Sequence, residues 1–193
     1  MYKKQYLSIL SNANDGAITY YVGDNEEDVK HLVNCTLLCK PNFNPKLDQV
    51  KLIKSQNPQL EFYKLSEKYK KDYLEENKLE FIDRYYLHRD AIIGSGVEIG
   101  NGCVIGKCII EDNVKIHPNV VIYGETTIKS KVVIEANTVV GAEGVMWVWD
   151  NEKRVYLHQL GGVIIEKYCK IGSNVTIARG SANENTIIGE GTC

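Results

Sequence analysis

The sequence predicts a small α/β segment followed by a three-sided parallel β-helix with one long inserted loop. Three observations carry this. From Ala91 an aliphatic residue recurs every six positions, and a small or β-branched residue stands two positions before each. Before about residue 87 no such repeat exists, and strand-like stretches alternate with helix-like ones. Residues 143–161 then break the repeat once.

The 193 residues are 44% hydrophobic and 25% charged, with a net charge of -2. That balance is globular and gives no footing for a protein that tracks nucleic-acid phosphates. No apolar run reaches the ~20 residues of a membrane span. The start, MYKKQYLSILSNAND, has neither the apolar stretch nor the cleavage site of an export signal, so a cytoplasmic location is expected. The six cysteines then predict no disulfides, and their spacing fits no zinc site.

Within residues 1–87, Ala17–Val22 is rich in β-branched and aromatic residues and stops at Gly23–Asp24, which predicts a strand and a turn. Asp24 or Asn25 can cap a following helix carrying Val29, Leu32 and Val33. Thr36–Cys39 reads as a short buried strand. Asn44–Pro45 predicts a second helix with Leu47, Val50 and Ile53 on one face. Leu60–Leu65 reads as a third strand, and Ser66–Glu67 as the start of a third helix bearing Tyr69, Tyr73 and Leu74. Such alternation predicts a small αβ sandwich.

Residues 88–193 form the second domain. The repeat runs Ile93, Ile99, Ile105, Ile110, Ile116, Ile122, Ile128, Ile134, Val140, then Ile165, Ile171, Ile177 and Ile188. Each hexad supplies one short strand and one corner, three hexads complete a coil, and coils stack at ~4.8 Å. The aliphatic and the small residue point inward. The glycines that often follow the aliphatic (Gly94, Gly100, Gly106, Gly141, Gly172, Gly189) are read as relieving the corner. Cys103, Cys108 and Cys169 occupy the small inward position and are expected to be packed and inert. The register places Ile99, Ile116, Ile134 and Ile171 on one inner wall. The loop 143–161 holds both tryptophans, and an insertion of that length on a regular scaffold points to function.

Several segments resemble the UDP-3-O-acylglucosamine N-acyltransferase family of lipid A synthesis, and its shorter relatives that acylate nucleotide-linked amino sugars. Val139–Gly144 is similar to that family's VGADG. Gln159–Gly161, Val163–Ile165, Thr186–Gly189 and Ile116–Tyr123 fit its pattern, and Ile171–Gly180 is close to IGANTTIDRG. In the first domain only Ala17–Tyr20 is similar, to an ISF-type strand. The resemblance implies a left-handed prism and a homotrimer with sites between neighbours. It also implies a nucleotide-holding N-terminal domain, and a thioester donor that is acyl-CoA or acyl carrier protein, acyl-CoA being favoured by the shorter architecture. No bound cofactor is implied. The expected activity is N-acyl transfer to a nucleotide-linked amino sugar for cell-surface polysaccharide or lipopolysaccharide synthesis. Three departures stand out: Gly124 follows Tyr123 where the family tends to have His; Ala178 replaces an Asp; and the family's His-containing IAHNV segment would fall beyond Cys193, so the prism reads as cut short.

The catalytic candidates therefore come from the residues themselves. Acyl transfer from a thioester to an amine needs a modest base and an oxyanion donor. His117 occupies an outward corner, and Glu135 is the corner one coil later, so stacking brings the carboxylate to the imidazole; a solvated corner pair is the plain alternative. His158 ends the inserted loop and Glu143 opens it, and both are further catalytic candidates. His31 reads as surface and His88 as structural. Tyr20 or Tyr21 can stack on a base, with at least one of them packed in the core, and Trp147 and Gln159 are expected to touch substrate. Competing readings are an O-acyltransferase on a small alcohol, a γ-carbonic-anhydrase-like zinc enzyme and a non-catalytic β-helix. The zinc enzyme lacks gathered histidines, and an ice-binding surface lacks ranks of outward Thr.

Overall fold

The computed structural model describes residues 5–193. The chain divides into two compact units. The first runs to Lys70 and takes in Val145–Leu160 and Ser181–Glu184; the second comprises Lys71–Gly144, Gly161–Gly180 and Asn185–Cys193.

The first unit holds a parallel sheet in the order β1 (Tyr6–Leu7), β2 (Ala17–Tyr21), β3 (Thr36–Cys39) and β4 (Lys51–Lys54). Successive residues face opposite sides. Ala17 and Leu37 join a cluster with Val29, Leu32 and Phe43, while Ile18 and Leu38 join one with Phe62 and Tyr63. Four expectations fail here, one being the third helix from Ser66, of which only the 3-10 turn Glu67–Tyr69 forms. The segment after Asn25 is only a 3-10 turn, Glu26–Val29, although Asn25 does cap it by accepting from the Glu27 N–H. The segment after Asn44–Pro45 is no helix; Lys51–Lys54 pairs with β3 as an edge strand instead. Leu60–Leu65 is not a strand but lies in α1 (Pro58–Ser66), capped by the Asn57 side chain at 3.0 Å from the Leu60 N–H. Its buried residues Leu60, Phe62, Tyr63 and Ser66 follow helical, not alternating, spacing.

The second unit is a parallel β-helix of three walls. One wall stacks Ile92–Ile93, Ile109–Ile110, Thr126–Ile128, Val163–Ile165 and Thr186–Ile188. The next stacks Glu98–Ile99, Lys115–Ile116, Val133–Ile134 and Lys170–Ile171, and it does align Ile99, Ile116, Ile134 and Ile171. The third stacks Val104–Ile105, Val121–Ile122, Val139–Ala142 and Thr176–Ala178. It is extended by β5 (Leu79–Ile82) and β6 (Tyr85–His88), with Leu87 of β6 paired to Ile105. The unit boundary thus falls at Lys70 rather than near residue 87, because β5 and β6 bond to the prism. The core is the inward residues, fully buried from Ile105 to Ile165. Cys103, Cys108 and Cys169 are among them, and burial pushes the Cys108 thiol up to about 12, so it is unreactive.

The corners are built differently from the expectation. Of the glycines after the aliphatics only Gly141 is left-handed; elsewhere the left-handed backbone falls two residues later, at Gly96, Gly102, Asn113, Asn119, Asn137 and Asn174. Asn tolerates this region better than most residues, and the Asn119 and Asn137 amides also bond to each other at 3.3 Å. Gly94 and Gly100 serve close approach instead. A Cβ there would lie 2.6 Å from backbone atoms of the next coil. Lys131 holds the same left-handed corner at φ 63° without an Asn or Gly. Lys131→Asn is therefore expected to stabilise the prism by about 0.5–1 kcal/mol, seen as a higher melting temperature.

The insertion groups with the first unit, not the prism. Trp147–Asp150 and Lys153–Tyr156 pair as an antiparallel hairpin. Val148 and Val155 face inward and pack with Phe62, Tyr63 and Leu157. Lys64 on α1 bonds Asp150 at 2.9 Å. Ser181–Glu184 form a second excursion that belongs to the first unit: Ala182 joins that unit's core, and the Leu160 N–H donates to the Ser181 carbonyl.

Candidate functional site

The second unit brings together one predicted pair. His117 Nε2 lies 3.6 Å from Glu135 Oε2, and Lys170 Nζ lies 3.8 Å from the other carboxylate oxygen. The three sit on successive coils. Parallel pairing sets their spacing, since His117 N–H donates to the Ile134 carbonyl and Glu135 N–H to that of Ile171. The imidazole and carboxylate side chains are each about one-third exposed, at 33% and 28%, so solvent and ligand both reach them. At 3.6 Å the contact is an ion-pair distance rather than a hydrogen bond. The corner is open on one side, where Gly172 lies one coil above Glu135 with almost nothing near its missing side chain, and closed on the other, where Gly100 lies tightly under the His117–Pro118 backbone. Glu143 also belongs to this unit and is exposed.

The other candidates belong to the first unit. His158 Nε2 lies 2.5 Å from Glu67 Oε2, and its N–H donates to Ser66 Oγ at 3.0 Å, so the residue anchors the returning hairpin strand to the end of α1. Tyr20 and Tyr21 face opposite sides of the sheet. Tyr20 packs on Phe62 at 5.0 Å and Tyr21 on Phe43 at 5.2 Å. Burial raises the Tyr20 phenol; the Asp28 carboxylate raises that of Tyr21, whose hydroxyl donates to it at 2.6 Å. Both rings therefore pack, where at least one was expected to. Gln159 is buried. Trp147 is exposed on the hairpin's outer face, edge-on to Trp149 at 5.0 Å, with the Arg154 guanidinium 4.7 Å from its ring.

Residues outside the predicted set organise another corner of the prism. Arg179 is 2% exposed; its Nε donates to the Gly141 carbonyl at 2.8 Å and its Nη2 to that of Gly124 at 2.7 Å. Its guanidinium lies 3.1 Å from the centre of the Tyr73 ring. The Gly124 N–H donates to the Tyr73 carbonyl at 2.7 Å, and a Cβ on Gly124 would stand 2.8 Å from that oxygen. That close approach accounts for Gly124, the position where the resembling family tends to carry His. Lys71 closes the segment down on Glu125 at 2.5 Å. The signal for Arg179 lay in Ala178–Arg179–Gly180, a strand end with a charged residue at an inward-reaching position. Tyr73 had no signal in the repeat, because it comes from outside it.

Residues 107–142 match the bacterial transferase hexapeptide (six repeats) family. The matched coils carry both His117 and Glu135. No curated protein matches the chain. Among the described residues no helix is long and apolar enough to cross a membrane.

Proposed function

We propose that the protein transfers an acyl group from a thioester, acyl-CoA or an acyl carrier protein, to the amine of a nucleotide-linked amino sugar, with His117 as general base. The observation that carries this reading is the exposed His117–Glu135 pair inside the stretch that matches a transferase hexapeptide family. Glu135 holds the imidazole with its acceptor nitrogen toward the amine. As the amine attacks the thioester carbonyl, His117 takes its proton and the thiolate leaves. Glu143, at the root of the insertion, is a second acceptor. His158, Gln159, Trp147, Tyr20 and Tyr21 stand as binding residues for the sugar nucleotide, His158 being reassigned from catalysis because Glu67 already engages it. The test is turnover of a panel of thioesters and nucleotide-linked amino sugars, with serine and small alcohols as the competing acceptors. Acylation of an alcohol in preference to every amino sugar would replace this reading with O-acyl transfer.

The proposal includes a homotrimer with a left-handed prism, and the walls suggest which face it uses. Outward residues of the first wall are aliphatic except Thr127: Ile92, Ile109 and Ile187 are 61%, 43% and 62% exposed, and Ile164 continues the ladder beyond Thr127. The neighbouring wall instead presents Glu98, Lys115 and Lys170, with Val133 between the two lysines and Lys115 paired to Glu98 at 3.5 Å. An exposed aliphatic ladder on a flat wall asks for a partner. Ile109→Lys is expected to convert the trimer to monomer in light scattering, and Lys115→Glu to leave it intact. A wild-type monomer at micromolar concentration would remove the trimer from the proposal.

A further inference from the structure

The hairpin of the first unit, Trp147–Asp150 with Lys153–Tyr156, has two unlike faces. On its inner face Val148 and Val155 pack into the unit's core and hold the hairpin in place. Alternate residues point to opposite sides, so the outer face carries Trp147, Trp149, Arg154 and Tyr156. All four are exposed, Trp149 by 53% and Tyr156 by 48%. Val145 and Met146, at the entry to the first strand, are exposed as well, Val145 by 79%. Both tryptophans of the chain thus stand outward, where the fold gains little from their large apolar surface. A contiguous exposed patch of this kind marks an interaction surface.

The chemistry of the face narrows its partner. Among the described residues neither indole N–H nor the Tyr156 hydroxyl bonds to the protein, and Arg154 makes no ion pair. The Arg154 guanidinium lies over both indoles, 4.7 Å from the Trp147 ring and 5.5 Å from that of Trp149. The outer face holds no acid. Asp150 lies on the inner face, where Lys64 answers it at 2.9 Å, and Glu152 lies at the turn beside Lys153. Three rings with apolar bodies and unused polar tips therefore stand beside one cation. That combination suits the boundary of a lipid bilayer: rings enter the acyl edge, N–H and O–H groups meet ester carbonyls, and a guanidinium meets phosphate. A sugar fits less well. It stacks on an open ring face, and here the two indoles stand at 76° to each other with Arg154 over both.

We propose that this face seats the protein on an anionic lipid surface, with Trp149 and Tyr156 entering the interface and Arg154 pairing with headgroup phosphate. The hairpin lies on the bilayer and does not cross it. Peripheral binding of this kind adds buried apolar area to attraction for anionic lipid. The proposal does not depend on the acyl-transfer reading, and its test uses no turnover. Trp147, given above to the sugar nucleotide, is left unchanged in that test.

The whole protein is mixed with vesicles of phosphatidylcholine and phosphatidylglycerol in equal parts, and both sedimentation and tryptophan emission are read. Wild type is expected to pellet with the vesicles, and its emission to move to shorter wavelength as the indoles leave water. Trp149→Ser and Tyr156→Ser should each weaken partition about tenfold or more, the scale of burying one large side chain. Arg154→Gln should weaken it about fivefold, the scale of one basic residue near an anionic surface. Phe81→Ser removes a similarly exposed ring from the second unit and should change nothing. All of these side chains point outward, and unchanged circular dichroism is the control on folding. No pelleting of wild type, pelleting with unmoved emission, or equal weakening in Phe81→Ser each overturns the assignment. A saturating emission change with maltoheptaose in the absence of vesicles also overturns it, and gives the face to a glycan instead.

Discussion

His117→Ala is expected to lower kcat for transfer to the amino sugar by about 10²-fold, the lower scale of general-base catalysis, with KM for the sugar nucleotide little changed. The reason is positional. Only the imidazole sits on an exposed corner with a carboxylate one coil above it, and the backbone ladder fixes that spacing. Glu135→Gln keeps an acceptor of the same shape but removes the charge that favours the imidazolium formed during proton transfer. Its loss should be smaller, and the acidic limb of the pH–rate profile should survive in it but vanish in His117→Ala. Lys170→Ala frees one Glu135 oxygen and should change kcat least, because an exposed pair at 3.8 Å contributes little. If His117→Ala turns over at the wild-type rate, the base lies elsewhere and Glu143→Gln becomes the next variant to assay.

The repeat was legible because it is simple. One aliphatic per hexad must point inward, so the wall register of Ile99, Ile116, Ile134 and Ile171 follows from counting. The conspicuous glycines misled on the corners. Gly94 and Gly100 are there because the next coil passes too close for a Cβ, while the left-handed turn is made by Asn113, Asn119 and Asn137. The first unit was harder. Two Asn–Pro steps compete, and only Asn57–Pro58 starts a helix, because Leu60, Tyr63 and Phe62, Ser66 behind it bury at helical spacing. Behind Asn44–Pro45 the chain instead turns through a left-handed Gln49 into an edge strand. His117 with Glu135 was readable, since both lie within the repeat. The meeting of Tyr73 with Arg179 was not, since it depends on a segment that joins the prism from outside the repeat.

Ile134→Ala is expected to destabilise the second unit by about 3–5 kcal/mol, the upper range for removing a buried aliphatic. Ile134 is fully buried and is stacked between Ile116 and Ile171. Those neighbours hang from strands whose separation is set by backbone hydrogen bonds, so the wall has little freedom to collapse into the void. Transfer and cavity costs should therefore both appear. Ile109→Ala on the outward side of a wall should cost under about 1 kcal/mol to the isolated chain, because its side chain is already 43% exposed. Both tryptophans lie in the hairpin of the first unit, so their fluorescence reports that unit, while far-UV circular dichroism is dominated by the prism. In urea, Ile134→Ala should move the dichroism midpoint strongly. A fluorescence midpoint that stays in place shows that the units unfold separately, and one that moves equally shows that they unfold as one. A dichroism shift worth less than about 1 kcal/mol would mean that the coils relax around lost volume, and the rigid stacking assigned to this wall would be wrong.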